Sequence, residues 1–146
     1  MEKLLISSCM LGVSCRYDGQ SKVPFSLEIF SKLAMKYELI PFCPEIYGGL
    51  PTPRTPSERI GNEVYMKDGK CVTENYKKGA DEALRICRIF GIKKALLKEK
   101  SPSCGKGFIY DGTFSGNLVS GNGVCAQLLL MSGVEVYGES EIDKLL

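Results

Sequence analysis

Four short apolar runs alternate with three amphipathic stretches along this chain, and that alternation limits the fold more than any other feature. Residues 3–8, 38–42, 94–98 and 134–137 are short, rich in branched and aromatic side chains, and bounded by turn residues, so they read as buried strands. Ser26 can cap a helix that carries Leu27, Phe30, Leu33 and Ala34 on one face. Thr73 starts the longest helix, with Tyr76, Ala80, Ala83, Leu84, Cys87 and Phe90 on one stripe and Gly91 as its stop. A third helix is expected over residues 121–131, ended by Gly133, and Ser140-x-x-Asp143 is a capping pattern for a short last one. Residues 63–72 look like a small hairpin turning at Asp68-Gly69. This order predicts an α/β, Rossmann-like three-layer sandwich: a mainly parallel four-stranded sheet with helices on both faces, plus the hairpin. At 146 residues, positions 1–146 are expected to form one domain around a single core.

Three of the strand-like runs lead into a cysteine. Cys9, Cys43 and Cys104 follow the first three runs, each among Gly, Pro and Ser rather than on an apolar face. Ligands bind outside the carboxyl ends of the strands in open parallel sheets, so these thiols are expected at one edge. The chain has seven cysteines and no histidine. An odd cysteine count without a secretion signal argues against a disulfide framework. The lack of histidine removes the commonest acid–base group and the commonest nitrogen ligand. A metal must then be held by thiolates, helped by carboxylates, and proton transfer falls to Glu, Asp, Lys, Tyr, Cys or water. Three thiolates suit an iron–sulfur cluster better than copper or catalytic zinc, and three ligands for four irons leave one iron open for Lewis-acid chemistry. Separations of 34 and 61 residues match no compact ligand motif, so this expectation rests on topology.

Other residues join the candidate site. Cys15 is a rival third ligand, a resolving thiol or a packed side chain, whereas Cys87 belongs to a helix stripe and Cys71 and Cys125 have no assigned role. Glu45, two residues after Cys43, is the natural base for activating water in a chain without histidine. Ser101 and Ser103 flank Pro102 before Cys104, and their hydroxyls can bond a substrate, a cluster sulfide or loop amides. The stretch 48–56 holds three prolines and two glycines, a stiffened loop of the kind that roofs a site, and its Arg54 is a candidate for an anionic substrate group. Gly121 and Gly123 fit G-x-G-x-x-A formally, either as a tight helix start or as an anion site. Six residues separate Cys9 from Arg16, one more than the five of a low-molecular-weight phosphatase cradle.

Composition removes several classes. A net charge of +2 is too small to argue for nucleic acid or an anionic membrane surface. No run reaches the ~18 apolar residues of a membrane span. The N-terminus enters a strand pattern at once rather than a signal peptide, so a cytoplasmic address is expected.

Ile6-Ser7-Ser8-Cys9-Met10-Leu11-Gly12 with Cys15-Arg16-Tyr17-Asp18-Gly19, Cys43-Pro44-Glu45, Gly48-Gly49-Leu50-Pro51-Thr52-Pro53-Arg54, and Ser101-Pro102-Ser103-Cys104-Gly105 together resemble the motifs of a known family. Tyr110-Asp111-Gly112-Thr113-Phe114 and Gly121-Asn122-Gly123-Val124 complete the pattern, which covers nearly the whole chain. The family is that of the TudS-type thiouracil desulfidases, formerly a domain of unknown function. The resemblance implies a [4Fe-4S] cluster on three cysteines, Cys9, Cys43 and Cys104, whose fourth iron takes sulfur from a thiolated pyrimidine. It implies roles for Glu45 as the group that activates water and for Ser101 in positioning substrate or relaying a proton. Its expected partners are 2- or 4-thiouracil as base or nucleotide and the iron–sulfur assembly machinery, with no membrane. Members differ in taking a base, a nucleotide or a thiolated tRNA nucleoside, so nucleic acid is not expected but thiolated tRNA stays open. Two other classes compete: a thiol-based redox or sulfur-carrier protein that uses Cys9 or Cys104 with Cys15, and a non-catalytic iron–sulfur sensor. A plain nucleotide-binding module using Gly121 and Gly123 is a third.

Overall fold

The computed structural model describes residues 1–146. The first half contains β1 (Glu2–Ser7), α1 (Leu27–Lys36), β2 (Tyr37–Phe42), α2 (Pro44–Tyr47), β3 (Ser57–Ile60) and β4 (Glu63–Met66). The second half contains α3 (Thr73–Phe90), β5 (Lys94–Leu97), β6 (Phe108–Tyr110), β7 (Leu118–Ser120), α4 (Val124–Met131) and β8 (Glu135–Gly138). Short 3₁₀ turns follow β1 (Ser8–Leu11) and β8 (Glu139–Lys144). No helix is long and apolar enough to cross a membrane.

Four strands form one parallel sheet in the order β2-β1-β5-β8, with Leu5 beside both Ile40 and Ala95, and Ala95 beside Val136. Alternate side chains of each strand face opposite sides. Leu5, Ala95, Leu97 and Val136 pack under α3 and α4, against Ala83, Cys87, Ala126 and Leu129. Leu4, Ile6 and Leu96 face the other way, onto Leu33 of α1 and Leu145 at the C-terminus. These are the three layers expected from the alternation. Pro41 lies inside β2, which is tolerable because β2 is an edge strand and a missing N–H there breaks no central ladder.

Several local expectations are corrected. The 63–72 hairpin turns at Asp68-Gly69 as expected, with the Met66 N–H donating to the Lys70 carbonyl and the Val72 N–H to that of Val64 around a Tyr65–Cys71 bridge. It is short, and the longer pairing of β4 is with β3, in a ribbon that turns at Gly61-Asn62 and was not expected. A second antiparallel ribbon, β6–β7, carries no residue pattern long enough to have shown it. Leu27 is 86% exposed and Ala34 is exposed; α1 instead packs through Ile29, Phe30 and Leu33, while its Ser26 cap accepts the Ile29 N–H as expected. Phe90 is 48% exposed at the last turn of α3, which Gly91 closes in the left-handed region. The Ser140 cap is replaced by Glu141, which accepts the Gly138 N–H. Cys43-Pro44-Glu45 is the start of a helical turn rather than a loop, with Cys43 at the N-cap and Pro44 at the first position.

The docking of α2 on α3 requires a glycine. A methyl group on Gly79 would run into the Pro44 carbonyl oxygen, so only a bare backbone lets α2 come this close. Gly79→Ala should lower stability by about 2 kcal/mol through that overpacking, despite the roughly 1 kcal/mol that alanine gains in a helix interior. A thermal melt followed by circular dichroism checks the sign.

The last 3₁₀ turn is held by charge. Burial alone would raise the Glu141 carboxyl, but Lys144, Lys106 and the Gly138 N–H together hold it down, to about 2. The folded value is below the unfolded one of about 4.3, so its stabilisation is complete above about pH 5 and is lost as the pH falls through the folded value. Glu141→Gln should lower the melting temperature at pH 7 by a few degrees, and the gap to the parent should close on acidification. A gap that stays constant with pH would refute the ion pair's contribution.

Candidate active site at the carboxyl edge of the sheet

The strand order reverses between β1 and β5, the switch point at which open sheets bind ligands. Leaving β1, the chain makes the 3₁₀ turn that carries Cys9 and closes on Gly12 in the left-handed region, with φ 98°. Leaving β2 it reaches Cys43, and leaving β5 it reaches the 98–105 loop with Cys104. A cavity of about 490 Å³ opens at this edge, and Cys9, Cys15, Cys43, Cys104, Glu45 and Ser101 all line it. The convergence expected of the three strand-end cysteines is therefore found, with Cys15 as a fourth. All seven cysteines are free thiols.

The Cys104 loop is fastened on both sides. The Ser101 hydroxyl accepts the N–H groups of Ser103 and Cys104, each at 3.1 Å. The first amides of α4 bind the same loop: Val124 N–H donates to the Pro102 carbonyl at 2.8 Å, and Cys125 N–H to the Ser103 carbonyl at 2.9 Å. A side chain on Gly123 would strike the Ser103–Cys104 peptide. Gly121 and Gly123 do not line the cavity, and the α4 N-terminus is already filled by loop carbonyls; neither the anion site nor the dinucleotide reading survives. Ser103 is also outside the cavity wall, fully buried, with its hydroxyl oxygen lacking a conventional partner but beside Cys104.

Arg54 is the second correction. Its Nε and Nη2 donate to Glu45 Oε2 at 2.9 and 2.6 Å, Nη1 to the Pro51 carbonyl and Thr52 Oγ1, and Nη2 also to the Cys15 carbonyl at 3.0 Å. Every N–H of the guanidinium is spent inside the protein, and its side chain is 3% exposed. It is a clamp on Glu45, not a free receptor for an anion. The other carboxylate oxygen, Oε1, is 3.5 Å from the Ser101 hydroxyl, a long hydrogen bond in which the serine donates.

Three of the cavity's thiols, Cys15, Cys43 and Cys104, are pushed towards the neutral form. A hydrogen bond with Cys15 and burial push the Cys43 thiol far above its usual range. Burial pushes Cys104 up to about 12, although the Ser7 and Ser103 hydroxyls favour its thiolate. Cys15 is favoured as thiolate by Cys43, but Cys9 and burial outweigh this and raise it. Nucleophilic and redox cysteines are activated by lowered values, so Cys15, Cys43 and Cys104 are poorly suited to thiol chemistry by themselves. A polynuclear metal centre fits the donor set better, because it supplies the positive charge that thiolates need. Three strand-end thiolates in one cavity suit a cluster, which can take each on a different iron.

Sequence reasoning gave no role to Ser7, whose hydroxyl sits beside Cys104 and accepts the Lys98 N–H, nor to Tyr110 and Phe114, which line the cavity, although all three lie in the resembling motifs; Glu58, also in the lining, was not singled out at all. Ser7 adjoins Ser8-Cys9 and could have been noticed; Glu58 sits in an ordinary alternating strand and gave no signal.

A family model described as 2-thiouracil desulfurase matches residues 4–141. The solved structure of TudS, described as a [4Fe-4S]-dependent thiouracil desulfidase, superposes with a TM-score of 0.94 at 45% identity, covering 99% of this chain and 95% of that one. The uncharacterized protein YbbK of Bacillus subtilis strain 168 is 39% identical over 153 residues, spanning 98% of this chain and 99% of its own. With a site of strand-end thiols, a clamped carboxylate and a serine in one cavity, the chain belongs to the 2-thiouracil desulfurase family.

Proposed function

We propose that the protein is a [4Fe-4S]-dependent desulfidase that converts a thiolated pyrimidine, 2- or 4-thiouracil or its nucleotide, into uracil and sulfide. The observation that carries this reading is the meeting of Cys9, Cys43 and Cys104 with the Glu45–Ser101 pair in one cavity. In this reading those three cysteines hold the cluster. When bound, it supplies a Lewis-acidic iron free of protein ligands as an acceptor for the thiocarbonyl sulfur.

The remaining chemistry falls to the chain's own groups. Water replaces sulfur at the ring carbon, with no net electron transfer. Glu45 Oε2 is fixed by Arg54, which leaves Oε1 as the proton acceptor that orients the attacking water. Ser101 Oγ already accepts two amide N–H groups, so its own hydrogen is free to donate to Glu45 Oε1 or to the substrate. The Pro-rich loop that carries Arg54, Thr55 and Pro56 forms part of the wall and limits water access. Lys22, Lys67 and Lys100 line the cavity without a carboxylate in ion-pair range, which gives the phosphate of a nucleotide substrate its cations. A cluster of this kind calls for iron–sulfur assembly proteins and a reducing compartment, which supports a cytoplasmic address. The raised Cys104 and Cys15 thiols weigh against a carrier that uses that pair, and the cavity beside the cysteines weighs against a cluster that only senses.

Two experiments test the reading. After anaerobic reconstitution, Cys9→Ala, Cys43→Ala and Cys104→Ala should each lose the visible cluster absorbance and sulfide release together, while Cys15→Ala keeps both. Retention of both properties in one of the first three would pass its place to Cys15. Glu45→Gln should keep the cluster spectrum and lose roughly 10²–10⁴-fold in sulfide release from 4-thiouracil or 2-thiouracil; an unimpaired Glu45→Gln enzyme rules out its part in activating water.

A further inference from the structure

Glu58 is a buried carboxylate without a cation. It stands on β3, is 8% exposed, and lines the same cavity as the thiols. Its Oε1 accepts the N–H groups of Gly112 at 2.9 Å and Phe114 at 3.1 Å. Its Oε2 has no protein donor, is not sealed from solvent, and no Lys or Arg nitrogen lies in ion-pair range of the group. One oxygen is fixed by the loop amides and the other is left to solvent, so the group stands ready in the cavity wall to accept a donor from a ligand that displaces that water.

The loop that Glu58 holds is itself unusual. Phe114 has φ 56°, in the left-handed region that a bulky side chain rarely adopts. The two amide bonds to Glu58 hold the 112–114 turn there, and Phe114 lines the cavity together with Tyr110. A carboxylate acceptor and an aromatic ring on one wall, with thiols and Glu45 on another, suit a flat heterocycle that bears a polar N–H. In a thiouracil ring N3–H lies between C2 and C4, the two carbons that can carry the sulfur. It is therefore adjacent to the reacting bond in either isomer.

We infer that Glu58 is a specificity-determining residue whose free oxygen accepts the N3–H of the pyrimidine, with Phe114 offering the ring a face to lie against. This assignment rests on the desulfidase reading above. It explains selection for a uracil-type ring, since a cytosine-type ring presents a lone pair at N3 that a carboxylate repels. In Glu58→Gln the side-chain oxygen can still serve the two loop amides, which turns the NH₂ group, a donor, towards the substrate.

The test uses reconstituted holoenzyme and whichever thiouracil isomer it turns over. Uracil and cytosine are measured as competitive inhibitors, and the 3-methyl derivative of that isomer as a substrate. The parent enzyme should bind uracil more tightly than cytosine and lose roughly 10–100-fold in kcat/KM with the 3-methyl compound. Glu58→Gln should keep the cluster absorbance, weaken uracil by a similar factor, strengthen cytosine, and so reverse the preference. If Glu58 only pins the loop, both inhibitors weaken together and their ratio stays unchanged, which overturns the assignment. Should Glu58→Gln fail to fold, the parent enzyme alone decides, because equal turnover of the 3-methyl compound also overturns it. Absence of turnover with every thiouracil brings down the desulfidase reading and this assignment with it, whereas turnover without any N3 preference removes only Glu58.

Discussion

Parallel strands cannot be joined by a tight turn, so each returns to the sheet through a long connection and all of them end on the same edge. The rest of this molecule depends on that constraint. Residues 34 and 61 positions apart meet because each follows a strand of one sheet, and the reversal of strand order between β1 and β5 opens the crevice where they meet. The three cysteines need no shared motif, only the same place relative to a strand end.

A parallel edge gathers residues but does not hold them, and here the holding is polar. The Cys104 loop and the first turn of α4 satisfy one another: the loop's carbonyls take the helix's orphan N–H groups, and Gly123 allows the two backbones to touch. Across the cavity Arg54 joins three segments through one planar group, binding α2 at Glu45, the Pro-rich loop at Pro51 and Thr52, and the Cys15 loop at its carbonyl. A lysine offers a point charge and could not make this set of directed bonds. Such a pair is expensive to desolvate and adds little net stability. Its worth is geometric, since it leaves one carboxylate oxygen free and aimed near Ser101.

The sheet, its parallel sense, the long helix from Thr73 to Gly91 and the three strand-end thiols were legible in the sequence because each depends on periodicity or on a residue next to a strand. The misses have a common cause. Leu27, Ala34 and Phe90 look apolar at helical spacing, but which side of a short stripe is covered depends on the partner layer. β6 and β7, three residues each, are too short to show alternation, and the β3–β4 register follows from where α3 begins. Arg54 has the right chemistry for an anion, yet its donors are claimed by groups distant in sequence such as the Cys15 carbonyl. Gly123 was correctly marked as special, but the close approach it permits is to the cysteine loop rather than to a phosphate.

Three carboxylates line this cavity; Glu99 is taken up by the Ser140 N–H, and the other two differ in their surroundings. Glu45 stands at the start of α2 with a guanidinium on one oxygen and a serine hydroxyl near the other, so it is fixed in place among the thiols. Glu58 has two amides on one oxygen, no cation, and nothing from the protein on the other. A carboxylate held by an arginine on one oxygen keeps the other in a fixed position from which it can orient a water. One left half-satisfied gains most from an N–H that arrives with the substrate. In the proposed reading, the pairing of a completed carboxylate with an incomplete one separates a group that handles water from a group that reads the ring. The first would then belong beside the bond that breaks, while the second would need only to reach the nitrogen next to it.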